Sequence, residues 1–249
     1  MSKSYGQYCP LALSAELLCE RWTLLVLSRV IEGCSTFSEI HRGVPRISPT
    51  MLTKRLSELE HSELVEKRQS PDGRSIRYSP TAAAMDLEQI INDLAIWGQR
   101  WARDMTLEDL DPAFLAWSMH LAMNVEQMPS ERVVIEFRLS SEVTEEIEYF
   151  WIVHEHGNIE MCMKHPGFET DLSVASDLRL FVEAWRGFRN LRDEIGKGSI
   201  TLDGPRAYRE AFPNWLKLSM FSPYKRLQRG RERQLYEQSS AFDEHHAST

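Results

Sequence analysis

The sequence predicts an α+β protein in two parts, on three observations. Residues 36–78 read as two short helices joined by a tight connection and followed by a β-hairpin, with basic side chains throughout. Residues 131–202 carry strand-like runs before their helices, without regular βαβ alternation, which indicates a mixed α+β domain. Charge divides the chain the same way. Its 249 residues carry a formal net charge of −8, yet residues 1–104 hold 13 Lys and Arg against 13 Asp and Glu, so the whole acidic excess lies beyond them. Two charge balances imply two tasks, and the acidic half is a poor ligand for nucleic acid.

The length suffices for two cores, and 42% apolar with 27% charged residues is ordinary for a folded chain. No run approaches the roughly 20 apolar residues that span a bilayer. The N-terminus lacks a signal-peptide apolar region, so a cytoplasmic location is expected. Cys9, Cys19, Cys34 and Cys162 are scattered without a CxxC pair, which favours free thiols over disulfides or structural zinc. No metal site and no cofactor are expected.

In order along the chain, Cys9-Pro10 opens a helix through Leu11, Leu13, Leu17 and Leu18. A second runs from Trp22 to Gly33, with Trp22, Leu25, Val26 and Val30 facing the core and Gly33 as its stop. In the next pair, joined at Val44-Pro45-Arg46, Ser48 is the N-cap and Pro49 the first helical residue. Leu52, Leu56 and Leu59 recur at i, i+4, i+7 and point inward, leaving Thr50, Met51, Lys54, Arg55 and Ser57 for a partner. The hairpin turns at Pro71-Asp72-Gly73, and one long helix then spans Thr81 to Met105. Its stripe of Leu87, Ile90, Ile91, Leu94, Trp97 and Trp101 is wide enough to cover both the core and a second subunit.

Between Arg42 and Ser57 there are four basic residues and no acidic one: Arg42, Arg46, Lys54 and Arg55. A helix that is leucine-rich behind and small, polar and basic in front suits the DNA major groove. Ser48, Thr50, Met51, Lys54 and Arg55 are the candidates for base edges and nearby phosphates, and Arg42 and Arg46 for phosphates. Arg68, Arg74 and Arg77 of the hairpin would grip phosphate or the minor groove.

Cys9-Pro10, Arg21-Trp22, Phe37 with Glu39, Ile47-Ser48, Met51, Arg55-Leu56, Leu59-Glu60, Leu64-Val65, Tyr78, Thr81 and Trp97-Gly98 together resemble the HxlR family, winged-helix regulators related to MarR repressors. The resemblance covers residues 5–104. It implies a homodimer formed through the first and last helices of this part, binding a pseudo-palindromic operator in double-stranded DNA. The Gly-Gly-Lys usual before the tryptophan is Cys19-Glu20-Arg21 here, and the wing is short, so no operator sequence carries over. In several relatives a cysteine at the place of Cys9 senses oxidants or electrophiles, and a helix N-terminus lowers a thiol's pKa. Cys9 is accordingly the redox candidate.

After Asp111-Pro112 a helix is expected over Phe114 to Met128. Strands follow at 131–140, Glu146 to His154, Asn158 to Met163 and Phe168 to Val174, then helices at Ser176 to Arg186 and Phe188 to Ile195. A strand at Ser199 to Leu202 precedes Gly204 to Phe212 and Pro213 to Phe221. Val134 to Phe137, Tyr149 to Val153, Gly157-Asn158-Ile159, Pro166-Gly167, Asp171-Leu172 and Gly198 to Ala211 resemble the sterol-carrier-protein-like domain. That resemblance implies a mixed sheet enclosing an apolar cavity for a small hydrophobic or amphipathic effector. Trp117, Met123, Phe137, Trp151, Met161, Phe181, Trp185 and Trp215 are its candidate lining. His154 and His156 could share a strand face as metal ligands, but a polar turn explains them better.

The expected organisation is a winged helix domain over residues 1–105, a sterol-carrier-like domain over 106–228 and a polar tail over 229–249. The expected function is a transcriptional regulator, a repressor, whose operator affinity an effector modulates. No catalytic triad, phosphate loop or carboxylate pair points to an enzyme. Two alternatives stand: a thiol-based repressor acting through Cys9, or a hydrophobic-ligand carrier or enzyme with a vestigial DNA reader.

Overall fold

The computed structural model describes residues 4–70, 73–141 and 147–227. The chain forms two compact units, divided between Leu94 and Ala95. The expected turn at Pro71-Asp72 and the polar tail at 229–249 lie outside the described residues.

The first unit contains α1 (Pro10–Leu18), α2 (Thr23–Ile31), α3 (Phe37–Gly43), α4 (Pro49–His61), β1 (Val65–Gln69), β2 (Ile76–Pro80), α5 (Ala82–Met85) and the start of α6 (Glu88–Trp101). Its core joins Val26, Leu27 and Val30 of α2 to Ile40 of α3 and to Leu52, Leu56 and Leu59 of α4. Leu25 is not part of it. Trp22 adopts a left-handed φ of 79°, α2 starts one residue later, and the inward stripe passes through Leu27 while Leu25 is exposed. The expected single helix from Thr81 is two. Leu87 N–H reaches back to Ala84 O at 3.0 Å, a tightened turn that ends α5 before α6 resumes at Glu88 and stops at Trp101. Ile90, Leu94, Trp97 and Trp101 are spaced 4, 3 and 4 residues apart and are all exposed, so α6 carries an open apolar face.

The second unit opens with the rest of α6 and continues with α7 (Pro112–Leu121), which Asp111 caps through the N–H groups of Ala113 and Phe114. A five-stranded sheet follows, in the order β5 (Asn158–Cys162), β4 (Ile147–Glu155), β3 (Val133–Ser140), β6 (Leu172–Asp177), β7 (Ile200–Asp203). β3 pairs parallel with β6 and every other neighbour is antiparallel, so the sheet is mixed as expected. The helices α8 (Leu178–Trp185), α9 (Leu191–Gly196) and α10 (Arg206–Trp215) complete the unit.

Boundaries moved for local reasons. α7 ends at Leu121 rather than Met128, because Met123 forms an antiparallel bridge with Leu216. The strand expected from Phe168 starts at Leu172, for Gly167 is left-handed (φ 86°) and the Phe168 ring is held by the Arg132 guanidinium 3.9 Å above it. Pro213 lies inside α10 instead of breaking it; the residue whose carbonyl loses its helical donor, Arg209, is exposed to water.

The eight aromatic and methionine side chains assigned to a cavity do not surround one. Phe137 stacks on Phe150 at 4.6 Å and meets Phe181 edge-on at 5.7 Å, filling the space between sheet and helices with fully buried rings. Met123 and Trp215 belong to the same core, with Met161 and Trp185 packed at its margin. Trp151 is on the opposite face of the sheet with Val134 and Val153. Trp117 is buried on α7 outside both clusters. These residues are core, and the reading of them as effector contacts is corrected.

Candidate nucleic-acid interface

The helix pair α3–α4 is fixed by short-range signals. Thr36 and Glu39 form a reciprocal capping box at the start of α3. Burial works against the Glu39 carboxylate, but the N–H groups of Ser35 and Thr36 outweigh it and hold its pKa below the usual value. The connection is pinned by buried Val44 and Ile47 and by a 3.0 Å contact between His41 Nε2 and Ile47 O. Ser48 Oγ then accepts from Met51 N–H at 3.2 Å and starts α4.

With its leucines inward, α4 exposes Ser48, Thr50, Thr53, Lys54 and Ser57. Lys54 is 60% exposed, its ammonium 3.9 Å from Glu58. Met51 is half-buried against the core, so it offers only part of its side chain. Thr53 was missing from the sequence reading, although it lies one turn beyond Thr50 on the same face. Arg42 and Arg46 are exposed at the end of α3 and in the connection.

Arg55 is a correction. Its side chain is 5% exposed, with Nε donating to Arg21 O at 2.8 Å and its terminal nitrogens paired to Glu20 (3.2 Å) and Glu58. It faces the chain leading into α2 and holds α4 in place; it is not available to a duplex. Sequence reasoning missed the clamp because Glu20 is 35 residues away.

The wing pairs β1 with β2 so that Arg68 lies directly opposite Arg77. Like charges facing across strands destabilise a hairpin. Here they are tempered by Glu66, bonded to Arg68, and by Ser35 Oγ, which accepts from Arg77 at 2.7 Å. Tyr78 N–H also donates to Ser35 O at 2.7 Å, which ties the wing to the residue before the N-cap of α3. Arg68, Arg74 and Arg77 are all exposed, so the hairpin presents three guanidinium groups and is tied through Ser35 to the N-terminal side of α3. The geometry can contact phosphate with Arg42, Arg46, Lys54 and the wing while small hydroxyl side chains meet base edges.

Elsewhere, Cys9 is exposed at the N-terminus of α1, where the backbone N–H of Ala12, then that of Leu11, lowers its thiol pKa. His154 and His156 do not converge. His154 is buried, its Nε2 accepting from Gly157 N–H at 3.1 Å, and His156 is exposed in the left-handed turn.

Residues 17–106 match the family described as HxlR-like helix-turn-helix. The HTH-type transcriptional regulator YvaP of Bacillus subtilis (strain 168) is 30% identical over 112 residues, which are 44% of this chain and 96% of that protein. YodB, an HTH-type transcriptional regulator of the same organism, is 33% identical over 95 residues, covering 37% of this chain and 85% of the relative. The solved reduced form of YodB is 32% identical with a TM-score of 0.34, covering 38% of this chain and 95% of that one. With a capped recognition helix and a basic wing inside the matched residues, the chain belongs to the HxlR-like helix-turn-helix family of transcriptional regulators.

Proposed function

We propose that the protein is a cytoplasmic homodimeric repressor that binds a pseudo-palindromic operator in double-stranded DNA through residues 1–105. A small hydrophobic or amphipathic effector held by residues 106–228 would modulate it. The observation that carries the DNA reading is the split on α4: Leu52, Leu56 and Leu59 are buried while Ser48, Thr50 and Lys54 are open, next to an arginine-bearing wing. Two copies related by a twofold axis would set their α4 helices about 34 Å apart, one helical turn of DNA. Support for a dimer comes from the open apolar face of α6 and from α1, where Leu11 and Leu13 are exposed and no residue is buried. Apolar area of this kind is normally covered. The mixed sheet supports the sterol-carrier-like reading of the second unit, although its apolar side chains are packed as core. Footprinting on the DNA upstream of the protein's own gene is the test. Two protected half-sites one turn apart are expected, and no protection by dimeric protein overturns the reading.

A second reading rests on Cys9. Its exposed thiol, with the pKa lowered by the first turn of α1, suits oxidation, and in the thiol-based alternative that oxidation releases DNA. Cys9→Ser should then hold the operator under diamide while the wild type lets go; equal release by both removes this alternative.

A further inference from the structure

The second unit contains a cleft of about 450 Å³ lined by Asp104, Met105, Arg179, Glu183, Phe188 and Arg226, with Gly187 and Lys225 at its edge. Its charge runs against its surroundings. The chain beyond residue 104 holds the whole net −8, yet three cations face two carboxylates here. Glu183 is already neutralised twice, by Arg179 Nε at 3.2 Å and Arg189 Nε at 2.6 Å. Asp104 is taken by Arg226 at 2.7 Å. Lys225 is exposed at the mouth with no ion pair among the described residues, so the cleft has cationic capacity left over. Arg186, half-buried, sets its guanidinium 4.8 Å over the Phe188 ring beside the cleft. Burial, then the charge of Arg226, lowers its pKa.

Apolar surface adjoins this charge. Met105 and Phe188 line the cleft, and a second cleft of about 440 Å³ shares Gly187 and Phe188 and continues along Leu218, Pro213 and Pro223. Segment 219–227 contributes Lys225 and Arg226 to the first cleft and Ser222 and Pro223 to the second. A Cβ on Gly187, which has φ 79°, would lie 2.6 Å from Ser222 O, so the segment lies directly on that glycine. The segment also grips the end of α6: Leu227 N–H donates to Arg100 O at 3.0 Å, and Arg226 donates to Ala102 O. Arg186 and Gln99, a buried residue of α6, exchange two hydrogen bonds.

We infer that this cleft is the effector site, and that it takes a single-chain amphiphile with an anionic head, a carboxylate or phosphate monoester, set between Arg179, Lys225 and Arg226 with its chain along Phe188. This rests on the proposed function and supplies the chemistry of its effector. A bound head neutralises Lys225 and reaches Arg226, both in the segment holding the end of α6. The ligand therefore acts on the helix that bears Trp97 and Trp101.

The test is calorimetry of the full-length protein with decanoate and decyl phosphate below micelle formation, with 1-decanol and decyltrimethylammonium as comparison probes. Saturable binding of either anion is expected, weakened about ten-fold or more by Lys225→Glu and by Arg179→Gln, with melting temperatures kept near the wild-type value. Absence of anion binding, equal binding of decanol or the cationic amphiphile, or anion binding unmoved by both variants overturns the proposal. Footprinting of the same preparation without amphiphile reports on DNA reading separately, so the two can fail independently.

Discussion

Lys54 and Arg55 are consecutive basic residues on one helix, and they stand in opposite environments, one exposed and one buried. Lys54→Ala removes an exposed ammonium whose partner, Glu58, is also exposed at 3.9 Å. Such a pair contributes less than about 0.5 kcal/mol, so folding should be unchanged. Its cost should fall on DNA. If a dimer neutralises about eight phosphates, the slope of log K against log salt is about −7; losing one contact per protomer moves it to about −5. Arg55→Ala removes a 5% exposed guanidinium and its bonds to Arg21 O, Glu20 and Glu58. Breaking a buried pair costs about 3–5 kcal/mol. Glu20 and Glu58 are 49% and 46% exposed and can rehydrate, so the loss should be nearer about 2–3 kcal/mol. For a unit of this size that lowers the melting temperature by about 10 °C or more. The assays are fluorescence anisotropy on an operator duplex from 50 to about 300 mM salt and thermal unfolding followed by circular dichroism. An Arg55→Ala protein that melts normally and loses salt slope, or a Lys54→Ala protein that unfolds with its slope intact, refutes the assignment.

Three further outcomes follow from particular contacts. Burial, then His156, lowers the pKa of His154 in the folded state below the unfolded value of about 6.5. The unfolded chain therefore takes the extra proton first, stability declines as pH falls below about 6.5, and His154→Gln should flatten that slope in urea titrations at pH 5 and 8. Gly187→Ala combines a left-handed φ of 79° with a 2.6 Å approach to Ser222 O, and should cost about 2 kcal/mol or more in the unfolding of the second unit. Leu94→Asp on the open face of α6 should give a monomer by analytical ultracentrifugation without lowering the melting temperature, since Leu94 is 50% exposed. A dimer that persists assigns that face to something else.

What could be read from the sequence was what is decided locally. Ser48-Pro49, the Thr36 and Glu39 box and the three leucines of α4 act within a few residues, and the helix pair came out as expected. The parity of β4 could not be read this way. Phe150, Trp151, Ile152, Val153 and His154 are buried in succession, so the sheet is covered on both sides there and alternation says nothing about which residue meets the helices. Six of the eight apolar side chains expected to line a cavity are buried, but apolarity alone does not separate a packed interior from a lined cavity. Phe137, Phe150 and Phe181 close that space by ring contacts between β3, β4 and α8.

Arg55 shows why charge counted along a window misleads for a DNA reader. The segment from Arg42 to Ser57 has no acid of its own, so every base in it looks available. A recognition helix, however, must also be held rigidly if its outer face is to meet bases, and leucines alone fix its depth better than its rotation. Arg55 supplies a directional restraint. It ties the middle of α4 to the carbonyl of Arg21, just before the left-handed Trp22 that sets the start of α2. One face of α4 therefore uses a cation for orientation, while Ser48, Thr50 and Lys54 stay exposed on the face proposed to meet DNA. Arg55→Lys should accordingly weaken operator discrimination more than it weakens non-specific binding, for an ammonium keeps the charge but cannot span Glu20, Glu58 and the Arg21 carbonyl together. Competition between operator and unrelated duplex measures this directly, and an unchanged ratio would show that α4 is aimed by its leucines alone.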